Sequence, residues 1–254
     1  MNLANKTFIV TGAYSGLGMA TARHLHHYNA NLVLTDINSD AGQPLAAELN
    51  DRTLFITMDV TQQHQIESAL DMAKNEFGSV HGLINCAGIL VAERLLKKDG
   101  SLFELEHFRH CIEVNLVGSF NMIRMISPLL RDNAADINGE RGVIINTASI
   151  AAYEGQIGQA AYAASKAGII GMTLPLAREL SQFGIRVMTI APGIFETAIF
   201  AHISELQRQQ LVQQMLFPAR LGKPSEYAAL VQHIIENPML NGEVIRLDGA
   251  LRLS

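Results

Sequence analysis

The stretch TFIVTGAYSGLGMATARHL, residues 7–25, limits the possible folds of this chain more than any other stretch. It begins with an apolar run typical of a buried strand, passes through a turn with Gly12, Gly16 and Gly18, and ends in a helical pattern. Glycines let a backbone approach a pyrophosphate closely, and the N-terminus of the following helix attracts the anion. A glycine-rich turn can also be only a turn. Its position after a buried strand nevertheless predicts a dinucleotide-binding α/β fold.

Several further apolar runs have the pattern of strands, and small or polar residues stand where they end. These residues are Asp36, Asp59, Val60, Cys86, Ala87, Gly88, Ser149, Pro192 and Gly193. In a doubly wound parallel sheet, ligands bind outside the carboxyl ends of the strands. We therefore expect these residues to meet at one edge of the sheet.

Asp36 ends the second apolar run, NLVLTD. An acidic residue at this position can bind both ribose hydroxyls of adenosine, and it would repel the 2'-phosphate of NADP. Ile37 follows, so no basic neighbour compensates for the charge. The sequence predicts NAD as the cofactor, while a helix N-cap is the other role open to Asp36.

The stretch from Ser149 to Lys166 carries a hydroxyl, a phenol and an ammonium group. Tyr162 and Lys166 are four residues apart in a run of helix formers, which places them on one helix face. An ammonium group beside a phenol favours the phenolate, so we expect Lys166 to lower the pKa of Tyr162. Such a tyrosine can act as a general base, with Ser149 holding the reacting oxygen. The same spacing also occurs in solvated surface pairs.

Two polar residues elsewhere are further candidates for the site. Asn115 lies on an apolar helix, where it is either a structural amide of the core or the holder of a water next to Lys166. The hydroxyl of Thr197, four residues after Gly193, could bind the carboxamide of a nicotinamide. The segment 194–217, with Phe200 and Ile203, is either a substrate lid or an ordinary amphipathic helix.

Composition excludes several classes of function. The net charge of -5 provides no general attraction for nucleic acid or an anionic membrane, and no apolar run is long enough to span a bilayer. The histidines at 24, 26 and 27 have no acidic or cysteine companions, so no metal site is expected. The two cysteines form no C-x-x-C motif and the first residues resemble no signal peptide, so a cytoplasmic protein is expected.

Taken together, TGAYSGLG, Asp36, Asp59-Val60, NCAG, Asn115, Ser149, YAASK and APG resemble the short-chain dehydrogenase/reductase family from end to end. The resemblance implies a single Rossmann-type domain over residues 1–254, with a doubly wound parallel sheet of about seven strands. It also implies NAD(P)-dependent interconversion of secondary alcohols and ketones, usually in a homotetramer. The low share of charged residues, 17%, agrees with a surface partly covered by other subunits.

The runs RGVIINTASIAAYEGQIGQAAY and ENPMLNGEVIRLDGA are similar to family members that act on 3-hydroxyacyl-CoA. This narrower resemblance implies an NAD site and a substrate site. The NAD site would be lined by Ser15, Leu17, Asp36, Asp59, Val60, Cys86 and Phe195. Ser149, Gln156 and Tyr162 would contact the substrate.

The resemblance leaves other activities open. A hydroxysteroid dehydrogenase, a 3-oxoacyl carrier-protein reductase and a non-catalytic NAD sensor share the same fold. Asp36 argues against the reductase, which usually prefers NADPH, and Ser149, Tyr162 and Lys166 together argue against the sensor. If the substrate is an acyl-CoA, Lys97 and Lys98 are candidates to contact its phosphates, and the alternative is that they belong to a solvated loop.

Overall fold

Seven parallel strands form one sheet at the centre of the protein, whose computed structural model describes residues 1–197, 212–213 and 215–253. The strands are β1 (Thr7–Thr11), β2 (Asn31–Asp36), β3 (Thr53–Thr57), β4 (Gly82–Asn85), β5 (Gly142–Thr147), β6 (Ile185–Pro192) and β7 (Val244–Leu247). Their spatial order is β3-β2-β1-β4-β5-β6-β7. This order confirms the predicted doubly wound fold. The direction of winding reverses between β1 and β4, which is where such folds bind their ligands.

Helices cover both faces of the sheet. They are α1 (Gly16–His27), α2 (Ser39–Leu49), α3 (Gln63–Phe77), α4 (Leu105–Ile112), α5 (Gly118–Arg131), α6 (Ala160–Ser181) and α7 (Pro224–Glu236). Within the described residues, none of them is both long and apolar enough to span a bilayer.

Successive side chains of the strands enter two separate cores, because side chains alternate between the faces of a sheet. Phe8 and Val10 pack with α1, α2 and α7 on one face. Ile9 packs with α3, α5 and α6 on the other face. Burial on both faces explains why these strands are continuous apolar runs rather than alternating patterns.

The helices α4 and α5 form one long helix with an irregular turn at its middle. Residues Glu113–Val117 adopt a π-helical turn, which carries Asn115. Such turns occur frequently at functional sites. No feature of the sequence predicted it.

Candidate active site

The glycine turn brings the backbones of β1 and β4 into close approach. Gly12 has a φ of +62°, and a Cβ atom there would lie 2.7 Å from the Cα of Ala87. A Cβ atom on Gly18 would lie 2.3 Å from the carbonyl oxygen of Gly12. Only glycine fits at both positions, and the resulting narrow backbone turn leads into the N-terminus of α1. This arrangement fits the pyrophosphate of a dinucleotide.

Two backbone amides hold the carboxylate of Asp36 at the end of β2. The N–H of Tyr14 donates to Asp36 Oδ2 and the N–H of Asn38 donates to Asp36 Oδ1, both over 3.1 Å. The carboxylate is therefore fixed beside the glycine turn while keeping free lone pairs, as an acceptor for two ribose hydroxyls requires.

A cavity of about 310 Å³ opens at the carboxyl ends of the strands. Most of the predicted site residues line it, namely Ser15, Gly16, Leu17, Cys86, Gly88, Ser149, Gln156, Tyr162, Lys166, Pro192, Gly193, Phe195 and Thr197. The structure thus brings the proposed catalytic group and much of the proposed cofactor group to one place.

Several predicted residues lie outside the lining of this cavity. They are Gly12, Gly18, Asp36, Asp59, Val60, Ala87 and Asn115. Asp59 Oδ1 accepts from the N–H and the hydroxyl of Thr61, which fixes the turn before α3. The side chain of Val60 packs against Gly118, at the start of α5. These contacts hold local structure, and the part of Asp59 and Val60 in the NAD site stays a prediction.

Ser149, Tyr162 and Lys166 stand together at the cavity wall. Ser149 is an extended residue just after β5, and its Oγ accepts from the N–H of Ala151 over 3.1 Å. The ammonium of Lys166 is buried, donates to the carbonyl of Thr147 over 2.8 Å, and lies 5.8 Å from the ring centroid of Tyr162. The i, i+4 spacing on α6 therefore places phenol and ammonium side by side, as predicted.

The pKa of Tyr162 differs from our expectation. Burial raises the pKa of Tyr162 above its usual value, and a hydrogen bond with Ser149 opposes that shift only partly. Burial also lowers the pKa of Lys166, to about 8. The expected lowering of the Tyr162 pKa is thus corrected, because removal of the phenol from water is the largest influence on it.

Asn115 ties the loop after β4 to α6. Its Oδ1 accepts from the N–H of Ile89 over 2.8 Å, and its Nδ2 donates to the carbonyl of Ile89 and to Ser165 Oγ. A Cβ atom on Gly88 would lie 3.1 Å from Asn115 Oδ1 and 3.4 Å from Lys166 Nζ. The structural role of this amide is therefore evident, and its oxygen faces the same point as the lysine.

A hydrogen-bonded group beneath the cavity was not predicted. Thr147 Oγ1 donates to the carbonyl of Asn85 over 2.6 Å and lies 2.7 Å from the hydroxyl of Tyr227. It thereby joins the ends of β4 and β5 to α7, and the carbonyl of the same threonine receives Lys166. The only available signal was Thr147's position at a strand end. Other unpredicted lining residues are Ile89, Leu90, Ala148, Ile150, Ala151, Gln159, Ile194 and Leu253.

The loop between β4 and α4 carries the two candidate lysines. Lys97 Nζ lies 2.6 Å from Glu93 Oε1, and His107 Nδ1 lies 2.8 Å from Glu93 Oε2. Lys98 is exposed. Phe200 and Ile203 of the expected lid lie outside the described residues. Among the described residues, no group of three or more histidine, cysteine or acidic side chains could hold a metal ion.

A doubly wound sheet with a glycine turn, a fixed carboxylate at the end of β2 and a Ser–Tyr–Lys group at the cavity wall defines a nicotinamide-dependent oxidoreductase. Residues 6–236 match the family described as short chain dehydrogenase, and the chain belongs to that family.

Named relatives agree with this assignment. The chain is 52% identical over 246 residues to human 3-hydroxyacyl-CoA dehydrogenase type-2, covering 96% of this chain and 94% of the relative. A crystal structure of 3-hydroxyacyl-CoA dehydrogenase type-2 from Mycobacterium avium superimposes with a TM-score of 0.93 at 40% identity, covering 98% and 96% of the two chains. A Brucella melitensis 3-ketoacyl-(acyl-carrier-protein) reductase, complexed with NADH, matches with a TM-score of 0.85 at 27% identity, covering 98% of each chain.

Proposed function

We propose that this protein is an NAD-dependent dehydrogenase that interconverts 3-hydroxyacyl-CoA and 3-oxoacyl-CoA. The observation that carries the proposal is the placement of Ser149, Tyr162 and Lys166 on the wall of one largely apolar cavity. The 52% identity to a 3-hydroxyacyl-CoA dehydrogenase supports the choice of substrate.

The residues present fit a nicotinamide dinucleotide. The crowding at Gly12 and Gly18 leaves backbone, rather than side chains, facing the pyrophosphate, and Asp36 would bind the adenosine ribose. When bound, the nicotinamide supplies the hydride acceptor for oxidation and the hydride donor for reduction. Thr197 would hold its carboxamide, and Lys166 its ribose. We propose NAD rather than NADP because the Asp36 carboxylate would repel a 2'-phosphate.

Tyr162 would move the proton of the reaction. In the oxidation direction its phenolate takes the proton of the 3-hydroxyl group, and in the reduction direction its phenol returns that proton to the carbonyl oxygen. The Ser149 hydroxyl would donate a hydrogen bond to the same oxygen and so hold it beside the phenol. The Lys166 ammonium stabilises the phenolate whenever it forms, since the two groups lie side by side in a buried site.

A panel of substrates tests this proposal. With NADH as the reductant, we expect acetoacetyl-CoA to give a higher kcat/KM than a 3-oxosteroid or a 3-oxoacyl carrier protein. A tenfold preference for the steroid or for the carrier protein would favour one of those two alternative activities. Binding of NADH without turnover of any substrate would instead identify a non-catalytic sensor.

A further inference from the structure

The segment after β7 turns back over the active-site cavity. Gly249 and Ala250 both have positive φ values, 59° and 62°, which reverse the chain direction. Leu251 is then fully buried in a cluster with Ile150, and Leu253 packs against the same cluster. Leu253 also lies in the lining of the cavity that contains Tyr162. A residue far from the catalytic stretch in sequence therefore forms part of its pocket.

Two arginines fix this segment in place. Arg246 makes a bidentate pair with Glu154 over 2.8 Å for each bond, and its Nε donates to Asp248 over 2.7 Å. Arg252 donates to Asp248 over 3.1 Å and lies 3.5 Å from Glu154. Bidentate pairs restrict geometry more strongly than single contacts do. The segment is thus anchored to Glu154, which lies between Ser149 and Gln156.

The contacts of Leu253 link it to the part of the cavity lining that carries Ser149. Leu253 packs against the cluster of Ile150, which directly follows Ser149. Ser149, Ile150 and Leu253 all line the same cavity. A substrate whose oxygen is held by Ser149 would therefore occupy a cavity that Leu253 helps to bound.

We propose that Leu253 is a specificity-determining residue, whose side chain limits the length and branching of the acyl chain that the pocket accepts. The nature of the substrate rests on the proposed function, but the limit on the size of its chain follows from the position of Leu253 in the cavity lining. A smaller side chain at 253 should therefore admit longer chains, and a larger one should exclude them.

The test compares Leu253→Ala, Leu253→Trp and wild-type protein on acetoacetyl-CoA and 3-oxodecanoyl-CoA. Apolar pockets discriminate by about tenfold or more for small differences in size. We expect the kcat/KM ratio of the long to the short substrate to fall about tenfold in Leu253→Trp and to rise severalfold in Leu253→Ala. Met239→Ala, which alters a side chain that is 90% exposed, serves as the control and should leave the ratio unchanged.

Two outcomes would overturn the inference. In both, the kcat/KM ratio of the long to the short substrate stays at the wild-type value. In the first, both variants also keep their activity. In the second, activity toward both substrates falls equally, which indicates only a structural role. If Leu253→Trp does not fold, the direction of the ratio in Leu253→Ala decides. If the wild type reduces no 3-oxoacyl-CoA, the proposed function fails. The same ratio is then measured with short and long methyl ketones, and a shift in that ratio would still support a limit on chain size set by Leu253.

Discussion

Burial shifts the pKa values of two ionisable side chains of the active site, Tyr162 and Lys166. It raises the pKa of Tyr162 and lowers that of Lys166 to about 8, so both shifts favour the neutral forms. The phenol therefore keeps its proton at neutral pH until another charge enters the site. Tyr162 therefore rests as the phenol, which is the form that donates the proton in the reduction direction.

Removal of the Tyr162 hydroxyl should abolish turnover while the cofactor still binds. A general acid or base typically contributes about 10²- to 10⁴-fold to the rate. We therefore expect Tyr162→Phe to lower kcat by at least about a hundredfold, with the dissociation constant for NADH, measured by fluorescence, within a few-fold of wild type. More than about a tenth of the wild-type kcat would rule out the role.

The pKa shift of Tyr162 can be measured directly. We expect the ultraviolet absorbance of its phenolate, obtained as the wild-type titration minus that of Tyr162→Phe, to appear only above the usual tyrosine value of about 10. Subtraction removes the contribution of the other four of the five tyrosines. A difference titration with a midpoint clearly below 10 in the protein without added cofactor would contradict the dominance of burial.

The Asp36 carboxylate should decide the choice of cofactor. Its two oxygens are held by the amides of Tyr14 and Asn38, so the charge is fixed beside the glycine turn, where we propose that the adenosine ribose binds. We expect wild-type kcat/KM to be higher for NAD than for NADP. Loss of charged hydrogen bonds, worth about 1.5–3 kcal/mol each, should raise the KM for NAD at least about tenfold in Asp36→Ala.

The matched control for this change is Asp40→Ala, which removes an exposed carboxylate at the start of α2 and leaves Asp36 in place. The Asp40→Ala variant should retain the wild-type preference for NAD over NADP. Equal kcat/KM values for the two cofactors in the wild type would be incompatible with a discriminating role of Asp36.

Residues whose chemistry is rare could be predicted from the sequence, and ordinary residues could not. Tyr162 and Lys166 were identifiable because a phenol and an ammonium at i, i+4 on a helix have few combined uses. Leu253 was not, since a leucine at a pocket wall has the same local pattern as a leucine in a core. The direction of the Tyr162 pKa shift was also predicted wrongly, because burial depends on packing that no local pattern shows.

Secondary-structure elements show the same limit on what the sequence can predict. The strands could be predicted because burial on both faces leaves uninterrupted apolar runs. The glycine turn could be predicted from its glycines directly after such a run, and the close approach of Gly12 to Ala87 agrees with it. The π-helical turn at Asn115 could not be predicted, because no local sequence pattern indicates it. The turn and α4 both pack against α6.

The loop between β4 and α4 gives a prediction about the CoA portion of the substrate. Lys97 is already paired with Glu93, so Lys98 should provide most of any attraction for the phosphates. We expect Lys97→Ala combined with Lys98→Ala to raise the KM for acetoacetyl-CoA several-fold, because exposed ion pairs are individually weak. The kcat should stay nearly unchanged.

A ketone without CoA separates this effect from a general one. The double variant should leave the KM for such a ketone unaltered. The control Lys74→Ala, on α3, should change the KM for neither substrate. Equal effects on both substrates, or no effect on either, would return the two lysines to the role of solvated loop residues.

The surface of the whole molecule has apolar groups that a monomer would leave in water. Phe120 on α5 and Leu174 on α6 are 45% and 44% exposed, and Val117, shortly before Phe120 in sequence, is 41% exposed. The strand β7 is an edge of the sheet, and its four residues are only half-buried. Exposed apolar patches and open edges commonly mark contacts between subunits.

We therefore expect a homotetramer, with a mass by light scattering of about four times the 27.7 kDa of one chain. A charge at an apolar subunit contact is costly to bury, so Phe120→Glu should reduce the mass to that of a dimer or monomer at micromolar concentration. Met72→Glu is the matched control, because Met72 is similarly exposed, at 43%, but lies on a different helix, α3. It should leave the mass unchanged. A wild-type mass equal to one chain would refute the expected assembly, whereas a tetramer that persists in Phe120→Glu would exclude Phe120 from the contact and leave Leu174 and β7 as candidates.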